Sequence, residues 1–83
     1  MPRVFRFVVD DVFRLSYGAT AVVGEHPSEG AFTSGQLVDI VRDGDVVATA
    51  IADSELHTRP GQVALRLRTP DVDVRPGDEV CAR

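Results

Sequence analysis

The feature that most constrains this chain is a two-residue step, Asp43-Gly44, between two alternating runs. From Gln36 to Arg42, Val38 and Ile40 share one face. From Asp45 to Asp53, Val47, Thr49 and Ile51 recur at every second position. Period-two alternation is the mark of a strand. An Asp-Gly pair between two such runs predicts a type I′ hairpin, because both central residues of that turn need positive φ.

The same period runs through the rest of the chain. In Arg3 to Val9, Phe5, Phe7 and Val9 share one face and Val4, Arg6 and Val8 the other. Asp10-Asp11 interrupts the run. Val12 to Ser16 resumes it, with Phe13 and Leu15 on one face and Arg14 and Ser16 opposite. Tyr17-Gly18 signals a turn, and Ala19 to Gly24 reads as a short buried strand. Glu25 to Gly35 is a long loop punctuated by Pro27, Gly30 and Gly35, in which Phe32 is expected to anchor back onto the core. Ser54 to Gly61 is a connection. Gln62 to Arg68 is a strand with Val63, Leu65 and Leu67 inward and Ala64, Arg66 and Arg68 outward. Thr69 to Gly77 is a second connection, and Pro76-Gly77-Asp78 turns the chain into a last strand, Glu79 to Ala82. Helical periodicity is absent, with a short turn allowed only in Ala50 to Leu56. Six or seven short strands with Gly and Pro turns predict an all-β barrel or sandwich. A closed barrel is favoured, because closure removes open strand edges.

The 83 residues are expected to form one domain, residues 1–83, with a modest core. Hydrophobic residues make up 43% and charged residues 27%, a balance too apolar for disorder. Lysine is absent, so all nine basic residues are arginine. The net charge of −4 argues against non-specific binding of DNA or RNA. One cysteine, Cys81, allows no internal disulfide. No apolar run approaches the ~18 residues of a membrane helix, and Met1 to Phe5 lacks a signal core. The expected location is the cytoplasm, away from membranes.

A set of ordered motifs then suggests a family. Asp11-Val12-Phe13-Arg14-Leu15-Ser16, Thr20-Ala21-Val22-Val23-Gly24, and Gly30, Gly35, Val38 and Ile40-Val41 resemble the opening half of domain two of elongation factor Tu. Pro60-Gly61-Gln62-Val63-Ala64-Leu65-Arg66-Leu67-Arg68 and Val74-x-Pro76-Gly77-Asp78-Glu79-Val80 resemble its second half, as in translational GTPases. The resemblance implies a small closed antiparallel six-stranded β-barrel of the translation-protein type. It also raises the family's contact with the aminoacylated end of tRNA. The family places Arg where this chain has Glu25, and its Gly-Arg-Gly-Thr turn is here Tyr17-Gly18-Ala19-Thr20. No binding residue is therefore carried over. With no Gly-x-x-x-x-Gly-Lys motif and no lysine, no GTPase site is expected.

Chemistry-bearing residues are sparse. His26 lies near Glu25 and Glu29, and His57 near Asp53 and Glu55, without a recurring metal-ligand spacing. Both are expected in solvated loops, and neither metal nor cofactor is expected. Cys81, between Val80 and Ala82, is expected to be a buried structural cysteine. Asp53-Ser54 with His57 reads as turn chemistry rather than a triad. Asp10-Asp11, Asp71-x-Asp73 and Asp78-Glu79 read as solvated acidic turns. Arg6, Arg14, Arg66 and Arg68 are expected to project outward, and on neighbouring strands they would form a candidate interaction surface for phosphate or carboxylate groups. The expectation is a non-enzymatic interaction module whose partner is another protein. The rival is a module that contacts tRNA or structured RNA through those arginines. The sequence does not fix an oligomeric state.

Overall fold

A computed structural model of the chain describes residues 4–16, 18–27, 30–55, 59–69 and 72–83. They form six strands and no helix: β1 (Arg6–Arg14), β2 (Thr20–Glu25), β3 (Gln36–Arg42), β4 (Asp45–Ser54), β5 (Gln62–Leu67) and β6 (Glu79–Ala82). Every pairing is antiparallel, and the order β1-β2-β5-β4-β3-β6 closes on itself as a barrel. The all-β class and the closed six-stranded architecture are those read from the sequence. No helix among the described residues is long and apolar enough to cross a membrane.

The β3–β4 hairpin forms at Asp43-Gly44, with φ of 52° and 83° at the two central residues. Arg42 pairs with Asp45 across it, which leaves the two-residue loop of a type I′ turn. Farther along β4, Val47 is an extra residue between the Ile40–Ala48 and Val41–Val46 pairs. Ala48, Ala50 and Ala52 therefore form the inward row opposite Ile40 and Val38. Thr49 and Ile51 face outward.

Asp10-Asp11 does not end the first strand. Val9 pairs with Gly24 and Asp11 with Val23, so Asp10 is a bulge inside one continuous β1. An inserted residue shifts the two-residue period by one and exchanges the faces of everything after it. Before the bulge, Phe5, Phe7 and Val9 are buried as expected. After it, Val12 packs on the core and Phe13 is turned out, 52% exposed. The expected inward placement of Phe13 is corrected by that one residue.

The core joins Phe5, Phe7, Val9, Val22, Val38, Ile40, Leu65, Leu67 and Val80 with the smaller Ala50, Ala52 and Ala82. Fully burying one such large side chain contributes ~1.5–3 kcal/mol. Phe5 is an aromatic centre, with the rings of Phe7 at 5.9 Å and Phe32 at 5.5 Å. Phe32 thus anchors the long loop to the barrel. Val72 and Val74, in the connection from β5 to β6, are buried in the same core. Gly24 is required by close approach: an added Cβ would lie 2.2 Å from the Val8 carbonyl oxygen.

Candidate functional site

The four arginines singled out from the sequence do not share one surface. β2 lies between β1 and β5, so the strands carrying them are not neighbours. Arg6 pairs across the β1–β6 seam with Cys81, and its Nε donates to Glu79 Oε2 at 3.0 Å. Arg14 follows the bulge, so it stands in the inward row with Thr20 and Leu67, at the mouth of the barrel. Its Nη1 donates to Thr20 Oγ1 and to the Val72 carbonyl, both at 2.9 Å. The expected outward projection of Arg14 is corrected by the same parity change. Arg66 lies in the outward row Phe13–Ala21–Arg66–Asp53. Arg68 forks onto Asp53 with bonds of 2.7 and 2.8 Å. The structure gathers Arg66 and Arg68 around Asp53 and leaves Arg6 and Arg14 elsewhere.

Of these arginines, Arg6 meets opposite charge at Glu79 and Arg68 at Asp53. Hydrogen bonds from the Arg68 guanidinium hold Asp53 below the usual carboxylate range. Arg83, with help from the Thr49 hydroxyl, does the same to Asp39.

Asp78 corrects the reading of a solvated acidic turn. Its residue is 4% exposed. Pro76-Gly77 forms a turn closed by Asp78 N–H to the Arg75 carbonyl at 3.1 Å, with positive φ at Gly77. That turn carries the carboxylate under the barrel end. There Arg42 donates from Nε and Nη2 at 2.9 and 2.8 Å, and the Arg75 N–H donates at 2.9 Å. Arg42 also reaches Asp73 at 3.2 Å. A buried carboxylate is tolerated when a fork-shaped donor and a backbone N–H satisfy it. The Arg42 bonds lower the Asp78 pKa and raise that of Arg42. This is a structural tie joining β3 to the β5–β6 connection.

Cys81 is corrected as well. Val80 and Ala82 point inward, so Cys81 lies half-buried on the outer face between Arg6 and Asp39. Partial burial pushes its thiol up, and the nearby Arg6 charge opposes that shift. His57 and Asp71 lie outside the described residues, and so does the Asp53-Ser54…His57 grouping as a whole. Among the described residues, no three His, Cys, Asp or Glu side chains converge as a metal site.

A concave site also forms among the described residues, and the sequence pattern did not single it out. An open cleft of about 330 Å³ lies beside β1, lined by Val8, Asp10, Glu25, His26 and Pro27. The Asp10 bulge and the end of β2 both line it: the antiparallel Val9–Gly24 pair sets Val8 opposite Glu25, and Asp10 follows on the other side of that pair. The His26 ring stands edge-on to Phe5 at 6.1 Å, and its Nδ1 lies 2.8 Å from the Pro27 carbonyl. The ring is therefore placed by its neighbours while remaining exposed. On β1 Val8 is 52% exposed, and Val4, just before the strand, is 59% exposed. The β1 flank combines apolar side chains with the carboxylates of Asp10 and Glu25. The signal that could have revealed it is the Asp10-Asp11 break, read as a bulge rather than a strand end.

No protein-family model, no curated protein and no solved structure matches this chain.

Proposed function

We propose that this barrel is a non-catalytic interaction module that binds another protein through the β1 flank. One observation carries the reading: Val8 and Phe13 on β1 and Val4 just before it stand more than half exposed, and Val8 lines a cleft with Asp10 and Glu25. Large exposed apolar side chains grouped along one strand mark an interaction surface more than scattered ones do. The acidic cleft favours a partner that brings a basic side chain together with apolar ones. A phosphate backbone would meet those carboxylates unfavourably. Of the arginines that could attract it, Arg6 and Arg68 already carry acidic partners, Glu79 and Asp53.

The sequence motifs that resemble domain two of elongation factor Tu support an interaction role, since such barrels contact other domains or RNA. The present reading takes the protein branch of that expectation. The test is affinity capture from cell lysate with the wild-type barrel and with Val8→Lys and Phe13→Asp. Both sites are exposed, so both variants should fold. A protein retained by the wild type and lost by both variants is expected. Recovery of RNA alone, or a gel shift with tRNA at low salt, would refute it, because phosphate contacts are strongest there.

A further inference from the structure

We infer that the barrel self-associates through the edge of β4, with a second copy adding its own β4 antiparallel across a twofold axis. The surface lies on the opposite side of the barrel from β1, three strands away in either direction. The inference is therefore independent of the proposed protein-binding flank.

The barrel closes through only part of β4. β4 runs from Asp45 to Ser54, yet its pairing with β5 covers only Ala52, Asp53 and Ser54. Two flanking bonds, both at 2.9 Å, end the contact: Glu55 N–H to the Ala64 carbonyl on one side and Arg68 N–H to the Ile51 carbonyl on the other. Among the described residues, every other backbone pairing of Asp45–Ala50 is to β3. Ile51 directs its carbonyl towards β5, so Thr49, two residues earlier, directs its backbone groups to the same open side.

Native proteins protect such an edge with charges, proline or a covering segment. Val46-Val47-Ala48-Thr49-Ala50-Ile51 contains no charge and no proline. Val46 is 57% exposed, with Val47 and Ile51 also exposed. The segment is rich in β-branched residues, and its partner must supply complementary N–H and C=O groups on an extended backbone.

A second β4 edge supplies those groups, and the charges at its ends fit. Asp43 and Asp45 are exposed at the hairpin tip and form no ion pair among the described residues. Arg68, which also bonds Asp53, stands at the other end of the open stretch with its side chain 57% exposed. Antiparallel pairing brings the acidic tip of each copy to the Arg68 end of the other. Pairing the same segment about a twofold is the isologous arrangement that closes at a dimer.

Sedimentation equilibrium from micromolar to several hundred micromolar protein tests this. The wild type is expected to dimerise. Val46→Lys and Thr49→Lys place charge on the edge without touching the core, and each should weaken the dimer at least tenfold. Asp45→Arg should weaken it too, by opposing Arg68. Circular dichroism reports whether each variant keeps its fold. A Thr49→Cys, Cys81→Ser protein should form a cross-copy disulfide under oxidation. A wild type that stays monomeric over the whole range overturns the inference and leaves the edge to a strand of a different protein. A dimer that persists unchanged in both lysine variants overturns it as well.

Discussion

Gly24→Ala probes the tightest approach in the barrel. The added Cβ would lie 2.2 Å from the Val8 carbonyl oxygen and 2.5 Å from Phe7 Cδ2. Even a favourable C–H···O contact keeps carbon and oxygen ~3.3 Å apart, so β1 and β2 must separate by about 1 Å at this point. Phe7 cannot yield freely, because it is buried against Phe5. The separation falls where Val9 pairs with Gly24, beside the Asp10 bulge that already interrupts the ladder. Overpacking of this kind costs ~1–3 kcal/mol, and a weakened hydrogen bond adds ~1 kcal/mol. A total of about 3 kcal/mol is a large share of the ~4–12 kcal/mol expected for a domain of this length. It corresponds to a fall in Tm of ~12–24 °C. Gly61→Ala is the control. Gly61 has φ of +81° but nothing within 4 Å of an added Cβ. It should lose only the ~1–2 kcal/mol of left-handed strain. Urea and thermal unfolding followed by circular dichroism measure both. If Gly24→Ala is no more destabilising than Gly61→Ala, close approach is not what requires glycine at that position.

Four further outcomes follow from the packing and the ion pairs. Leu65→Ala empties a fully buried site and should cost ~2–5 kcal/mol in urea unfolding; a loss below 1 kcal/mol would contradict the assigned core. Asp39, Asp53, Asp73 and Asp78 are all held below the ordinary carboxylate value by their arginine partners. Depressed carboxylates stabilise the fold above their unfolded pKa of ~3.9, and that contribution is lost as pH falls through the folded values. The urea midpoint should therefore be nearly flat from about pH 7 to 5 and drop below about pH 4, and a midpoint that rises on acidification would refute the sign. Asp78→Asn should lower the midpoint at pH 7 and flatten the acid limb, whereas an exposed control, Asp43→Asn, should change neither. Iodoacetamide at pH 8 should alkylate Cys81 more slowly in the folded protein than in urea, because burial raises its thiol pKa; equal rates would show an unperturbed thiol.

Much of the fold could be read from residues whose conformational demands are local. Asp43-Gly44 specifies its turn whatever surrounds it, and the structure has positive φ at both positions. Phe5, Phe7 and Val9 alternate with Val4, Arg6 and Val8, and burial follows that alternation residue by residue. Phe32 had only an apolar ring in a polar loop to announce it, and it packs on Phe5. The two misplaced faces on β1 share one cause. Alternation identifies a strand but cannot show where a single residue is inserted. At Asp10 the insertion exchanges the faces of Phe13 and Arg14. Asp78 went unread for a different reason: its carboxylate is buried through Arg42, which lies 36 residues away. Nothing local to Pro76-Gly77-Asp78 reports that partner.

The candidate arginine surface fails to assemble for a reason of connectivity. Sequence gives the faces of strands, and a surface needs their neighbours as well. Arg6 and Arg14 share β1, yet the bulge between them sends one to the outer seam beside Cys81 and the other to the barrel mouth beside Thr20. Arg66 and Arg68 lie beyond β2, on the flank where β5 meets the last residues of β4. Among the described residues, that same early end of the β4–β5 contact leaves Asp45 to Ala50 paired only to β3. A fold whose order is β1-β2-β5-β4-β3-β6 thus separates its two most exposed apolar regions to opposite walls. One is β1 with its acidic cleft, and the other is the bare edge of β4. Two walls with different chemistry can be occupied at once, so losing self-association through Thr49→Lys should leave capture by the Val8 flank intact.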